Sequence, residues 1–175
     1  LDAPGPELRK QMATSFAAAG RLLVENSHVK RDFEENAMDL YSKAITLHPD
    51  QAKYYVGRGN ARVIASRHVT QETVDATRND AKAAIEKDDN LSGGHGLLGY
   101  VLLSQSRFDR NKDRNLCREN LVAALKELDR AVTASQKDDE DLPSFLINRS
   151  HSYTELANSI IDPTLLEKKR LLNQA

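Results

Sequence analysis

The sequence has few of the features that mark disulfide-held, membrane-spanning or strongly charged proteins. Its 175 residues include one cysteine, Cys117, so no intramolecular disulfide can form, and we expect this thiol to be buried or idle. No apolar run reaches the ~20 residues that a membrane span needs. With 25 basic and 26 acidic residues, the formal net charge is −1. That balance gives no push toward nucleic acid, a membrane surface or an acidic substrate.

Proline is also scarce, at five residues, and the Val, Ile, Thr, Tyr and Phe runs that are typical of strands are missing. Ala, Leu, Glu, Lys and Arg dominate, and these residues favour helix. Between Leu116 and Ala134, apolar residues recur at three- and four-residue steps, which puts them on one helix face. They are Leu121, Ala124, Leu125, Leu128, Ala131 and Val132. The composition therefore predicts an all-α protein.

The run GHGLLG, from Gly94 to Gly99, matches the dinucleotide-binding pattern G-x-G-x-x-G. That pattern works only as a turn between a strand and a helix, where backbone N–H groups approach a pyrophosphate. The preceding segment, 80–90, has the composition of a helix that ends in an acidic turn. No strand leads into Gly94, so we expect no nucleotide and no other cofactor.

The glycines fit an internal repeat better, because Gly20, Gly59 and Gly99 lie 39 and 40 residues apart. A ring precedes each glycine by four residues: Phe16, Tyr55 and His95. A fourth copy is 146–150, with Leu146 in the ring position and Ser150 in the glycine position. Each intervening segment carries residue pairs three apart, and these are Tyr41/Ala44, Ala81/Ala84 and Leu128/Ala131. The pattern predicts stacked helix pairs.

These motifs resemble the tetratricopeptide repeat (TPR) family. Ala37, Tyr41, Ala44 and Pro49 are similar to its second-helix signature and closing proline, and 52–62 is similar to the next first helix in many bacterial members. The resemblance implies an all-α superhelix of about four helix-turn-helix repeats in one domain, 1–175. The repeats would be roughly 7–49, 50–89, 90–137 and 141–175. HEAT repeats, with a period near 40, are the competing fold, but the Tyr–Ala–Pro and Tyr–Gly signatures favour TPR.

The period is longer than the 34 residues of the family, and the excess falls between the two helices of each repeat. About five residues are extra near 26–31, about six near 66–72 and about 13 within 105–118. Either the helices are lengthened by a turn or more, or extra loops stand on one edge of the superhelix. We further expect Gly59 and Gly99 to lie at close helix contacts inside repeats two and three.

Metal and catalytic signals are weak throughout the sequence. The five histidines form no H-E-x-x-H or other ligand pair, and His95 is most simply a ring in a packing position. The stretch 109–113 has EF-hand acid spacing but lacks the later Gly and Glu, which predicts a solvated loop. The acidic cluster 138–141 is expected to cap the next helix. No nucleophile elbow or carboxylate pair stands out, so we expect no metal and no enzyme activity.

The TPR resemblance implies a concave groove, lined by the first helix of each repeat, that holds a peptide or an extended partner segment. The main predicted binding residues are Arg21, Lys53, Asn60, Tyr100, Asn148 and His151. The same register places Glu25, Val56, Ile64, Leu103 and Thr154 in the groove. The asparagine–cation clamp by which some members hold a chaperone's terminal carboxylate is incomplete, since Ala18, Gly57 and Leu97 occupy its asparagine positions. We therefore do not expect chaperone-tail binding.

The leading hypothesis is a protein–protein interaction scaffold that binds a protein or peptide, with no nucleic acid and no membrane partner. The alternatives are a regulatory or localisation module of a larger multidomain enzyme, such as a bacterial kinase, and a nucleic-acid-binding α-solenoid. Net charge and Glu25 argue against the latter. The start at Leu1 suggests a piece of a longer protein; a cytoplasmic location is favoured, unless a signal peptide is missing from this piece. A leucine stripe in 164–175 suggests further repeats or self-association through a C-terminal helix.

Overall fold

The computed structural model describes residues 4–26, 33–66, 69–135 and 139–160. Within these ranges the chain forms seven helices and no strand, which confirms the all-α prediction. The helices are α1 (Pro6–Glu25), α2 (Phe33–Leu47), α3 (Ala52–Ala65), α4 (Gln71–Lys87), α5 (Ser92–Asp109), α6 (Arg114–Ala134) and α7 (Leu142–Ile160). The predicted C-terminal helix at 164–175, and self-association through it, fall outside the described residues.

The helices stack in two rows. Each helix packs on the next one in the chain, and α1, α3, α5 and α7 also contact one another in order. These four form the first row, and α2, α4 and α6 form the second. Helix pairs stacked in this way make a superhelical solenoid, in which the first row lines one face.

The extra residues of repeat three lengthen its helices. Helix α5 has 18 residues and α6 has 21, and only 110–113 separate them. Asp113 begins α6 by accepting hydrogen bonds from the backbone N–H groups of Asn115 and Leu116, at 2.9 and 3.1 Å. The predicted solvated loop at 109–113 is wrong for Asp109, which is buried and accepts hydrogen bonds from the Gln105 and Asn120 amides.

Small residues bring the two rows close together. Among the described residues, eight alanines are inaccessible to solvent, and they are Ala13, Ala37, Ala44, Ala61, Ala81, Ala84, Ala124 and Ala131. The Tyr41 ring fills the space left beside two glycines, because a Cβ on Gly20 would lie 3.1 Å from it and a Cβ on Gly57 would overlap it. This pairing of small and large residues is what close helix crossing requires.

The GHGLLG run lies inside α5, with no glycine at positive φ. A Cβ on Gly94 would meet Ile85 of α4, one on Gly96 would overlap Phe145 of α7, and one on Gly99 would lie 2.5 Å from Leu128 of α6. The run is therefore a helix segment that three neighbouring helices approach closely, and not a turn between a strand and a helix.

The close contact at Gly59 differs from the prediction. Gly99 meets Leu128 within its own helix pair, as predicted, but a Cβ on Gly59 would overlap Leu97 of α5. The Gly59 contact thus joins neighbouring helix pairs rather than the two helices of repeat two. The reason is that first-row helices also touch each other along the superhelix.

Two of the polar groups that are buried in this helical core connect neighbouring helices. Asp80 of α4 is 3% exposed and pairs with Arg58 and Arg62, which lie one turn apart on α3; its Oδ1 is 2.6 Å from Nη2 of Arg58. His95 is 2% exposed, with Nδ1 2.7 Å from Glu127 Oε2 and Nε2 2.8 Å from the Asp89 carbonyl oxygen. His95 occupies a packing position, as expected, but it also joins α5 to α6 through a polar contact.

Candidate functional site

A cavity of about 300 Å³, which we name the groove cavity, opens between the first-row helices. Its side chains are spaced three and four residues apart along α3, along α5 and at the start of α7, so each helix contributes one face. Residue Val24 of α1 completes it. The others are Asn60, Val63, Ile64, Gly93, Gly96, Leu97, Tyr100, Asp141, Ser144, Phe145 and Asn148.

Three of the six predicted binding residues come together in this cavity. Asn60 is on α3, Tyr100 is on α5 and Asn148 is on α7, and all three are partly exposed. The cavity thus combines two primary amides and a phenol from three successive first-row helices. Their role in binding stays a prediction, but their placement on one surface agrees with the sequence register.

The other three predicted residues do not line the groove cavity. Arg21 is exposed on α1 and pairs with Glu25 one turn away, with Nε 3.1 Å from Oε1. Lys53 at the start of α3 and His151 in the middle of α7 are also exposed. The cation that we expected beside Asn60 and Tyr100 is therefore absent from the described lining of the cavity.

Two further groove expectations are wrong. Val56 is 9% exposed because it packs against Gly93, and Leu103 is 1% exposed in a cluster with Cys117 and Leu121. Both side chains lie in helix interfaces. Ile64, in contrast, lines the cavity and is 48% exposed.

The predicted packing positions of α7 are not buried. Leu146 and Ser150, which the sequence placed in the ring and small-residue positions, are both exposed. Among the α7 residues whose burial the structure describes, Phe145 and Ser152 are buried. Phe145 supplies the most buried aromatic wall of the groove cavity, and no sequence signal marks it, because the fourth copy has no glycine to fix its alignment.

The entrance of the cavity at α7 is acidic. Burial raises the pKa of Asp141, and the neighbouring carboxylates of Asp139 and Glu140 raise it further. Burial alone would raise the pKa of Asp139 too, but hydrogen bonds from the Asp141 backbone N–H, Ser92 and Ser135 bring it below its ordinary value. Asp139 orders the turn that precedes α7, since its Oδ1 accepts that N–H at 2.9 Å.

Ser144 and Asp141 were also missed as cavity residues. Ser144 lies one helical turn before Asn148, so the spacing alone would have placed it on the same face. Asp141 precedes α7, and its position depends on how the preceding turn folds. That turn is fixed by Ser92, whose hydroxyl donates to Asp139 Oδ2 at 2.8 Å.

Cys117 is free and 4% exposed, as expected of a buried thiol, and burial raises its pKa. Across the described ranges, no group of three or more His, Cys, Asp or Glu side chains is arranged to hold a metal ion. None of the helices that the structure describes is both long and apolar enough to cross a membrane.

Solved structures with the same arrangement of helices identify the fold. The TPR domain of Sgt2 from Aspergillus fumigatus superposes with a TM-score of 0.61 at 18% identity, over 92% of this chain and 87% of that one. The TPR2B domain of yeast Sti1, solved in complex with pHsp70, gives 0.57 at 19% identity, over 81% and 98%. The chain has a TPR-type repeat fold.

A third TPR structure, the TPR2AB domain of yeast Sti1 in complex with pHSP90, has a TM-score of 0.55 at 20% identity. The match covers 84% of this chain but 52% of that one, so this chain spans about half of that structure's length. No protein-family profile matches the sequence, and no curated protein matches it. The TPR-like superhelix predicted from the glycine, tyrosine and alanine pattern is thus confirmed by structure rather than by sequence similarity.

Proposed function

We propose that this TPR-fold chain is a protein–protein interaction module that holds an extended partner segment in the groove cavity. Both Sti1 structures contain chaperone partners, and this supports a protein or peptide partner for the same fold here. The observation that carries the proposal is the convergence of Asn60, Tyr100 and Asn148, from three successive first-row helices, on one apolar-walled cavity.

The chemistry of these groups suits a peptide backbone. Each asparagine amide can donate to a carbonyl and accept from an N–H, so two amides can satisfy an extended chain that has no secondary structure of its own. The Tyr100 ring gives apolar area with a polar tip. Val63, Leu97 and Phe145 form walls against which a ligand side chain can be desolvated.

The described lining also lacks the parts of a catalytic site. It contains no histidine, cysteine or lysine, and its one serine, Ser144, has no described base within hydrogen-bonding distance. Nucleophilic catalysis needs a nucleophile within hydrogen-bonding reach of a base. Binding, without chemistry on the ligand, is the role that these residues support.

The test selects ligands from a random dodecapeptide library displayed on phage, and measures their affinity as N-acetylated, C-amidated peptides by fluorescence anisotropy. The cavity variant carries Asn60→Ala, Tyr100→Ala and Asn148→Ala. We expect it to keep its helical circular dichroism and to bind at least about tenfold more weakly, which is ~1.4 kcal/mol.

The matched control changes the three predicted residues that lie outside the cavity: Arg21→Ala, Lys53→Ala and His151→Ala. It removes as many side chains from the same row of helices, and we expect it to bind like the wild type. Loss of binding in this control, with normal binding by the cavity variant, would place the site elsewhere on the concave face. Failure of the library to yield any ligand would contradict the proposed function.

A further inference from the structure

The charge that lines the groove cavity is negative only, among the described residues. Among the described residues that line it, Asp141 is the one charged side chain, and no lysine or arginine is among them. Asp139 and Glu140 precede it directly in the chain, and their carboxylates are near enough to raise the pKa of Asp141. A ligand that brings an acidic side chain or a terminal carboxylate to this entrance would meet repulsion and no compensating cation.

The apolar part of the cavity calls for a side chain rather than a folded element. Its volume of about 300 Å³ lies at the lower end of ligand pockets, which run from about 300 to 1,000 Å³. Ile64 leaves 48% of its surface uncovered beside the buried Phe145 and Leu97. One large apolar side chain would cover that exposed aliphatic surface.

The shape of the groove cavity depends on two glycines of α5, Gly93 and Gly96. A Cβ on Gly96 would overlap the Phe145 ring, and a Cβ on Gly93 would lie 3.0 Å from Val56. The absence of side chains at these two positions lets α3 and α7 lie against α5 with their apolar residues at the cavity wall. The shape of the cavity and its acidic edge therefore come from neighbouring residues of α5 and α7.

On the basis of the proposed function, we infer that the partner segment carries a lysine or arginine next to a large apolar residue. The apolar side chain fills the cavity between Ile64 and Phe145, and the cation pairs with Asp141. Asn148 lies about one helical turn after Phe145 and two after Asp141, so its amide remains available to the backbone of the segment.

Electrostatics favours this occupant over an acidic or neutral one. Asp141 is exposed, so a cation can reach it, and a positive charge there would offset the surroundings that raise the pKa of this carboxyl, among them the Asp139 and Glu140 carboxylates. Ion pairs that are removed from solvent on binding contribute more than pairs at an exposed rim. The same entrance repels acidic peptides, which gives discrimination as well as affinity.

The test uses four synthetic peptides that share one apolar residue and differ in its neighbour: Lys, Arg, Gln or Glu. All are N-acetylated and C-amidated, so that no terminal charge contributes. Affinities are measured by fluorescence anisotropy at low salt for the wild type, for Asp141→Asn and for Glu86→Gln. Glu86 is exposed on α4 and does not line the cavity, so its variant is a control for the same change of net charge.

We expect the Lys and Arg peptides to bind the wild type about tenfold more tightly than the Gln peptide, and the Glu peptide most weakly. Asp141→Asn should remove the difference between Lys and Gln, while Glu86→Gln should preserve it. Equal affinities for the Lys and Gln peptides, or an unchanged preference in Asp141→Asn, would overturn this inference.

The proposed function fails separately. If the Gln peptide binds the wild type but not the cavity variant, the groove binds peptides whatever the charge preference. If the Glu peptide binds best under those conditions, the groove is retained and the basic partner is wrong. If none of the four peptides binds, the proposed function and this inference are both contradicted.

Discussion

Replacing Asp80 by asparagine tests a buried charge cluster between α3 and α4. The Asp80 side chain is 4% exposed, whereas those of Arg58 and Arg62 are 25% and 21% exposed. Arg58 approaches both carboxylate oxygens, through Nε and Nη2. The carboxylate is therefore the charge that the fold encloses, and the two guanidinium groups keep some access to water.

Asp80→Asn keeps the size of the side chain but removes the charge that both arginines share. Breaking a buried ion pair by removing one partner costs about 3–5 kcal/mol, and the partial exposure of the arginines places this case near about 3 kcal/mol. At roughly 2–4 °C per kcal/mol for a chain of this length, the melting temperature should fall by about 6–12 °C.

Thermal and urea unfolding followed by circular dichroism measure this loss. The matched control is Asp75→Asn on the same helix, where the carboxylate is 53% exposed and 3.2 Å from Arg78. An exposed pair of this kind contributes little, so we expect a change within about 0.5 kcal/mol. Equal losses in the two variants would show that burial of the Asp80 carboxylate does not stabilise the α3–α4 contact.

Two further substitutions test the packing. Gly59→Leu should lower the free energy of unfolding by about 1–3 kcal/mol or more, because the new side chain would overlap Leu97. A variant that unfolds in urea like the wild type would contradict the close contact between Gly59 and Leu97. His95→Phe keeps a ring of similar size but leaves Glu127 without its 2.7 Å partner, so we expect a loss of about 1–3 kcal/mol. A phenylalanine variant as stable as the wild type would mean that His95 serves only to fill space.

The helical fold could be predicted because its signals are local and periodic. Gly20 lies against Tyr41 at one close helix crossing, and Gly99 lies against Leu128 at another. The regular spacing of these glycines is visible in the sequence itself. Where the glycine is absent, in α7, the residues predicted to pack, Leu146 and Ser150, are exposed.

The candidate site could be predicted in part, for a similar reason. Asn60 and Tyr100 follow the register of their glycine-containing helices, and both line the cavity. Lys53 lies in the first turn of α3 and does not line the cavity. The sequence register gives the helix face of Lys53 but not which part of that face the neighbouring helices enclose. Asp141 was interpreted as part of a helix cap, because the turn that brings it to the cavity depends on Ser92, 49 residues earlier.

Buried charge was the other feature that sequence patterns did not reveal. Asp80 and its two arginines resemble the surface charges that make up much of this sequence. Their burial follows from the meeting of α3 and α4, where two long side chains one turn apart converge on one carboxylate. The acceptor pair around His95 arises in the same way, from residues 32 and 6 positions away.

The side-chain amide signals of Asn60 and Asn148 give the most direct test of groove binding. In two-dimensional ¹⁵N NMR, these signals are followed while a library-selected peptide is added, with the exposed Asn79 of α4 as internal control. The groove account predicts saturable shifts for Asn60 and Asn148 and none for Asn79. Saturable binding that leaves both groove amides unshifted would contradict it.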